Sequence, residues 1–70
     1  MIPLKKIGDL YYTRRKRTAN KDVAEKERFL LNLRGKTRVE RKGRYYEVWY
    51  APRDIEWQGL AKQAYKEHRK

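Results

Sequence analysis

Residues 36–50 read KTRVERKGRYYEVWY, two runs of strand-forming residues on either side of a glycine. Such runs around a short glycine-containing turn predict a β-hairpin. With a two-residue turn at 42–43, Arg41 faces Arg44. One side of the hairpin then supplies the core residues Thr37, Val39, Tyr46, Val48 and Tyr50. The other side pairs opposite charges and keeps two aromatic residues, Tyr45 and Trp49, near solvent. A three-residue loop would shift the register by one, so the register stays open.

A helix is predicted ahead of this hairpin. Asp22 and Glu25 have the spacing of a capping box, in which each side chain satisfies an amide that the other end leaves open. Gly35 stands where a left-handed C-cap would end the helix, which gives a span of 23–34 with Leu30 in the core.

A second helix is predicted after the hairpin, with Asp54 as its cap. Its apolar and aromatic residues recur on one helical face together with the histidine: Trp57, Leu60, Ala61, Ala64, Tyr65 and His68.

The length and composition bound the fold to one small domain. Seventy residues without cysteine bury only a thin core and have no disulfide to support it. We therefore expect an α+β domain, with a helix–β-hairpin–helix core over 22–70 and a partly extended basic N-terminal arm over 1–21, mobile over 13–21. No signal peptide, bilayer-spanning run or internal repeat stands out, so we expect a soluble, cytoplasmic monomer without membrane contact.

The positive charge is concentrated in two parts of the chain. The net charge is +11, of which residues 1–21 carry +6 and residues 36–53 carry +4, while residues 22–35 are neutral. A field of this sign attracts polyanions, or a partner that handles them, before any specific contact forms.

Catalysis is not expected, and neither a cofactor nor a metal ion is expected. The single histidine, His68, lies at the end of a helix stripe, and the nine carboxylates form no acid/base or metal-binding pattern. The four glycines are scattered singly, so no phosphate-binding loop is predicted.

The two basic runs favour binding of DNA or RNA as one interpretation, in which cations neutralise phosphates and aromatic rings stack on bases. The residues concerned are Arg14, Arg15, Lys16, Arg17, Arg38, Arg41, Lys42, Arg44, Tyr45 and Trp49. Other interpretations stay open: run 14–17 as a solvated linker, and Tyr45 with Trp49 as a protein anchor or as residues covered by the N-terminal segment.

Four segments of the chain carry a resemblance to a known class of protein. They are IPLKK at 2–6, YYTRRKR at 11–17, FLLNL at 29–33 and GRYY at 43–46. Together with the short length, they resemble the small lytic-phage regulators of bacterial RNA polymerase, of the type found in a Xanthomonas phage.

This resemblance implies a non-enzymatic transcription regulator that binds the β′ subunit of bacterial RNA polymerase in the host cytoplasm. It would inhibit sigma-dependent initiation and promote terminator readthrough. On this resemblance we expect the polymerase contact at Ile2, Leu4, Lys5, Lys6, Ile7, Arg14, Arg15 and Arg17. A scaffold or virion-assembly protein is a third class that the composition allows.

Overall fold

The chain repeats one hairpin–helix unit twice, although its sequence shows no repeat. A computed structural model describes residues 3–68, and the expected contact residue Ile2 and the side chain of His68 lie outside this description. In chain order the elements are β1 (Leu4–Ile7), β2 (Leu10–Thr18), α1 (Lys21–Asn32), β3 (Gly35–Lys42), β4 (Tyr45–Pro52) and α2 (Ile55–His68). The strands form one antiparallel sheet in the order β1-β2-β4-β3. The expected α+β class is therefore confirmed, as a four-stranded sheet with two helices.

Each hairpin closes with a two-residue loop whose first residue is glycine. The loops are Gly8-Asp9 and Gly43-Arg44, and both glycines have a φ of 62°. A positive φ at the first loop position alone is typical of a type II′ turn, whose twist matches the right-handed twist of the flanking strands. Glycine adopts this conformation without the steric penalty that a Cβ would bring.

The register of the second hairpin differs from the prediction by two residues. The loop lies at 43–44 rather than 42–43, so Thr37 pairs with Tyr50 instead of Val48. The turn places its only glycine at the position that needs a positive φ. Since side chains alternate with a period of two, this shift leaves each one on its predicted face.

The predicted basic arm is part of the sheet. Residues 4–18 form β1 and β2, and β2 pairs with β4 from Thr13 opposite Tyr50 to Thr18 opposite Tyr46. The stretch expected to be mobile therefore supplies most of a central strand. The sequence did not indicate this strand, because most of its side chains are charged. Strands pair through backbone N–H and C=O groups, which these residues carry whatever their side chains are. The chain therefore does not form a helix–hairpin–helix core with a separate arm, as had been predicted.

Helix α1 begins and ends earlier than predicted. Its N-cap is Asn20, whose Oδ1 accepts a hydrogen bond from the backbone N–H of Asp22 at 2.9 Å. The helix ends at Asn32, followed by Leu33 in a right-handed conformation. Gly35 is the first residue of β3 and has no positive φ, so the predicted left-handed C-cap is wrong.

The cap of α2 is confirmed. The Asp54 carboxylate accepts a hydrogen bond from the backbone N–H of Glu56 at 2.9 Å, which satisfies an amide that the first turn leaves open. Further along this helix, the Tyr65 ring meets the Tyr11 ring of β2 edge-on, with 5.4 Å between the centroids.

Both helices lie on the same face of the sheet. The strand register puts Tyr11 and Thr37 on one face, and these residues contact Tyr65 of α2 and Asn32 of α1. Val48 of β4 is fully buried on this face. The layer beneath the helices is thin, as the size of the chain predicts.

Two predictions about burial are wrong. Leu30 was expected in the core but is 52% exposed, because α1 turns Ala24 and Leu31 toward the sheet instead. Trp49 was expected near solvent, with cover by the N-terminal segment as the open alternative; it is 6% exposed beneath Lys5 of β1, so the alternative is correct. Trp49 packs on the helix-free face with a second apolar group: Ile7, Leu10, Tyr12 and Ala51.

Candidate nucleic-acid interface

The pairing of β2 with β4 brings the two basic runs to one end of the sheet. Thr18 at the end of β2 lies opposite Tyr46, and Lys42 at the end of β3 lies opposite Tyr45, so both runs flank the start of β4. We call this region the basic end and define it by six exposed residues: Arg15, Lys16, Arg17, Arg41, Lys42 and Arg44. Segments about 27 residues apart in sequence thus meet through strand register, with Lys16 and Arg41 on the helix face and Arg17 and Lys42 on the helix-free face.

The cations of the basic end are free of carboxylates. Over residues 3–68, the ion pairs within 4.0 Å use Lys5, Arg14, Arg28 and Arg38 as cations. The charge of the basic end is therefore not neutralised inside the molecule, and it faces solvent.

Aromatic rings and a backbone carbonyl hold three of these guanidinium groups. Arg17 lies over the Tyr45 ring at 4.5 Å from the centroid, and Arg15 lies over Tyr50 at 5.9 Å. The Nε–H of Arg41 donates to the Gly43 carbonyl at 3.2 Å. Stacking on a ring restricts the side chain yet leaves its N–H donors at the edge, so a phosphate can still accept hydrogen bonds from them.

A bulge in β2 places consecutive cations on different sides of the sheet. The register shifts between Arg14, opposite Trp49, and Lys16, opposite Val48. Arg14 consequently points to the helix-free face with Arg17, while Lys16 lies on the helix face. A bulge is a usual device for redirecting a side chain at the end of a ladder.

Arg14 has a different environment from the rest of its run. Its Nη1 donates to Oε2 of Glu47 at 3.0 Å, and Glu47 is only 7% exposed. This predicted site residue is therefore engaged within the protein. The predicted register placed Arg38 opposite Glu47, but Arg38 lies opposite Trp49 and Glu40 opposite Glu47. Linking Glu47 to Arg14 requires knowing that β2 is a strand.

The helix-free face holds a second charged group around Glu40. Lys5 donates a hydrogen bond to Glu40 and also lies over the Trp49 ring, at 4.4 Å from its centroid. This hydrogen bond holds the pKa of Glu40 below its ordinary value of 4.5; burial acts in the opposite direction, and the charges of Lys5, Lys42 and Arg38 lower the pKa further.

The aromatic residues expected to stack on bases differ in their availability. Trp49 lies beneath Lys5, and its buried Nε1–H has no acceptor among the described residues. Tyr45 is partly exposed beside Arg17. The structure therefore offers one accessible ring at the basic end, where the sequence led us to expect two.

The residues expected to contact a polymerase lie mostly on the first hairpin. Leu4, Lys5, Lys6 and Ile7 form β1, which is an edge strand, and Lys6 is the exposed member. Lys6 Nζ lies 5.9 Å from the centroid of the Tyr11 ring.

Comparisons with family models, curated proteins and solved structures find no match to the chain. Over residues 3–68, no helix is both long and apolar enough to cross a bilayer. In the same part of the chain, no cluster of three or more histidine, cysteine or acidic side chains is arranged to hold a metal ion.

Proposed function

We propose that this protein is a non-enzymatic nucleic-acid-binding protein whose basic end neutralises the phosphate backbone of DNA or RNA. The observation that carries this proposal is the approach of Lys16 and Arg17 to the run 41–44, because β2 and β3 both pair with the first half of β4. Six exposed cations without carboxylate partners in the described chain then act as one surface.

The proposed binding is tolerant of sequence. Lysine and arginine contacts to phosphates position a protein on its ligand without reading bases. Tyr45 is 38% exposed although Arg17 lies over its ring, and it supplies the ring that could stack on an unpaired base, whereas Trp49 is only 6% exposed. We therefore expect similar affinity for different sequences, and a modest preference for single strands wherever Tyr45 stacks.

Salt dependence tests this proposal. If all six cations engage duplex phosphates, log K should fall with log salt with a slope of about −5. The measurement is fluorescence anisotropy with labelled duplex and single-stranded oligonucleotides over a series of salt concentrations.

Paired substitutions test whether the two runs act together. Arg15→Gln with Lys16→Gln, and separately Lys42→Gln with Arg44→Gln, should each weaken binding and make the slope about two units shallower. The matched control is Lys62→Gln with Lys66→Gln, which removes the same charge from exposed positions on α2. Equal effects in all three variants would show that net charge alone attracts the ligand, and the proposed interface would then be wrong.

A second candidate function is regulation of bacterial RNA polymerase, with inhibition of initiation and readthrough of terminators. The observation that favours it is the position of β1 at the sheet edge, since an edge strand offers backbone groups to which a partner protein can add a strand. Leu4, Lys6 and Ile7 would make this contact.

Purified polymerase distinguishes this candidate from the first. A complex that persists at about 0.15 M salt, and that Lys6→Glu weakens while Lys36→Glu on the opposite edge strand does not, would support polymerase binding. Binding to bare nucleic acid without any complex or effect on transcription in vitro would exclude it.

A further inference from the structure

The outward side of α1 carries an uncovered apolar patch toward its C-terminal end, beside exposed charged residues such as Asp22, Glu25 and Lys26. Ala24 and Leu31 face the sheet, whereas Phe29 is 68% exposed and Leu33 is 74% exposed. Leu30 is half exposed between them. A monomer seldom leaves several large apolar side chains together in water on one helix, so this face is suited to a contact.

The lack of net charge around this face indicates which partner can bind there. Segment 22–35 has no net charge in a chain that carries +11. A second copy would be repelled at the basic end but meets no such barrier along α1. A nucleic acid, by contrast, would meet no excess of positively charged side chains on this helix.

The direction of α1 reinforces the argument. The helix starts beside the basic end, just after Thr18, and finishes near Gly35, which pairs with Pro52 at the opposite end of the sheet. Phe29 and Leu33 therefore lie far from the basic runs. In an antiparallel pair of α1 helices, the two basic ends point in opposite directions.

We propose that two copies of this chain associate through the outward faces of their α1 helices, in an antiparallel and isologous contact. The same patch then serves both copies, with Phe29 and Leu30 nearest the two-fold axis and Leu33 opposite the exposed Val23 of the other copy. Asp22 in the first turn comes near Arg34 of the other copy, just past its last turn, so opposite charges meet twice. A helix of 12 residues is about 18 Å long, so the contact is small and dimerisation depends on concentration.

Sedimentation of the full chain, from micromolar to near-millimolar protein, tests this proposal. We expect a reversible dimer that strengthens as salt screens the repulsion between two strongly positive copies. This dependence is opposite to that of nucleic-acid binding. A monomer over the whole concentration range, at low and high salt alike, would overturn the proposal and assign the face to another protein.

Matched variants test the location of the contact. Leu33→Asp should abolish the dimer, while Leu60→Asp on α2, which replaces a residue 68% exposed, should leave it intact. Circular dichroism checks that both variants fold. If both substitutions abolish the dimer, or neither does, the contact does not lie on α1.

A charge exchange tests the antiparallel orientation. Asp22→Arg should weaken the dimer at least several-fold, and the added change Arg34→Asp should restore it. Both side chains are exposed, so the exchange leaves the interior of the fold unchanged. Failure of the second change to restore dimerisation would overturn the proposed pairing.

Discussion

Glu47 is a buried carboxylate, and Arg14 is the cation that compensates it. Their 3.0 Å contact lies on the helix-free face, beneath the run from which Arg14 comes. A charge at this depth is stable only when it is paired, so one member of the basic run contributes to folding rather than to binding.

Replacing Arg14 separates these two roles. Arg14→Ala leaves Glu47 without its partner and should lower the free energy of unfolding by about 1–3 kcal/mol. Arg15→Ala, at an exposed neighbouring position, should change it by less than about 0.5 kcal/mol. Urea denaturation measures both values. Equal stability of the two variants would show that the Glu47 pair contributes nothing.

Glu40 makes the stability of the fold depend on pH. Its charged neighbours are Lys5 on β1 and Arg38 and Lys42 on its own strand, β3, with Glu47 directly across the ladder on β4. Because the folded-state pKa is lowered, ionised Glu40 stabilises the fold above its unfolded value near 4.5. That contribution is lost as the pH falls through the lower folded-state pKa.

The variant Glu40→Gln isolates this effect. The difference in unfolding free energy between the wild type and this variant should shrink as the pH is lowered from about 7 to about 3. Denaturant titrations at each pH measure it. A difference that stays constant over this range would mean that the ionised form of Glu40 is not preferentially stabilised in the fold.

At the scale of elements, replacing glycine should have opposite effects on stability in a turn and in a helix. Gly43 has a φ of 62°, whereas Gly59 lies inside α2 with open space where a Cβ would be. Gly43→Ala should therefore destabilise the protein by about 1–2 kcal/mol, because the left-handed conformation strains any side chain.

Gly59→Ala should stabilise the same protein by about 0.5–1 kcal/mol, since alanine has the higher helix propensity and meets no neighbour. Thermal unfolding of the two variants gives the comparison. A loss of stability in Gly59→Ala would indicate that α2 is not helical at this position.

The elements differ in how far the sequence predicts them. The Asp54 cap and the faces of the second hairpin follow from local patterns, which depend on residues close in the chain. Strand β2 does not, because residues 13–18 read TRRKRT and lack the apolar alternation of a half-buried strand. The two residues between Ile7 and Leu10, glycine followed by aspartate, were the available hairpin cue.

The candidate interface was predictable in composition but not in arrangement. Both basic runs stand out in the sequence, yet their meeting depends on β2 pairing with β4, a contact between distant segments. The burial of Trp49 under Lys5 also depends on β1, which was expected to be part of a partly extended arm and not a paired strand. Long-range strand order is the information that local patterns lack.

At low salt, the whole molecule is about as large as the distance over which its charges act on one another. Its extents are 33 × 28 × 20 Å and its net charge is +11. The screening length falls from about 30 Å at 0.01 M salt to about 8 Å at 0.15 M. At low salt, therefore, almost every cation repels every other across the entire fold.

Added salt should accordingly raise the melting temperature, even as it weakens the proposed binding of nucleic acid. Lys16→Glu with Arg44→Glu removes four units of positive charge and should raise the melting temperature most at low salt, while weakening binding. Differential scanning calorimetry at several salt concentrations measures this effect. A melting temperature that falls with salt would mean that the ion pairs outweigh the repulsion.

Each helix lies mainly over the hairpin of the other unit, with α1 on β3 and β4 and α2 on β2 and β1. Neither half of the chain can thus bury its own apolar surface when it is alone. If the backbone is cleaved after Arg34, between α1 and β3, the two fragments should remain associated under native conditions. Two separately made pieces should likewise remain unstructured until mixed, and then complement one another into a single folded body.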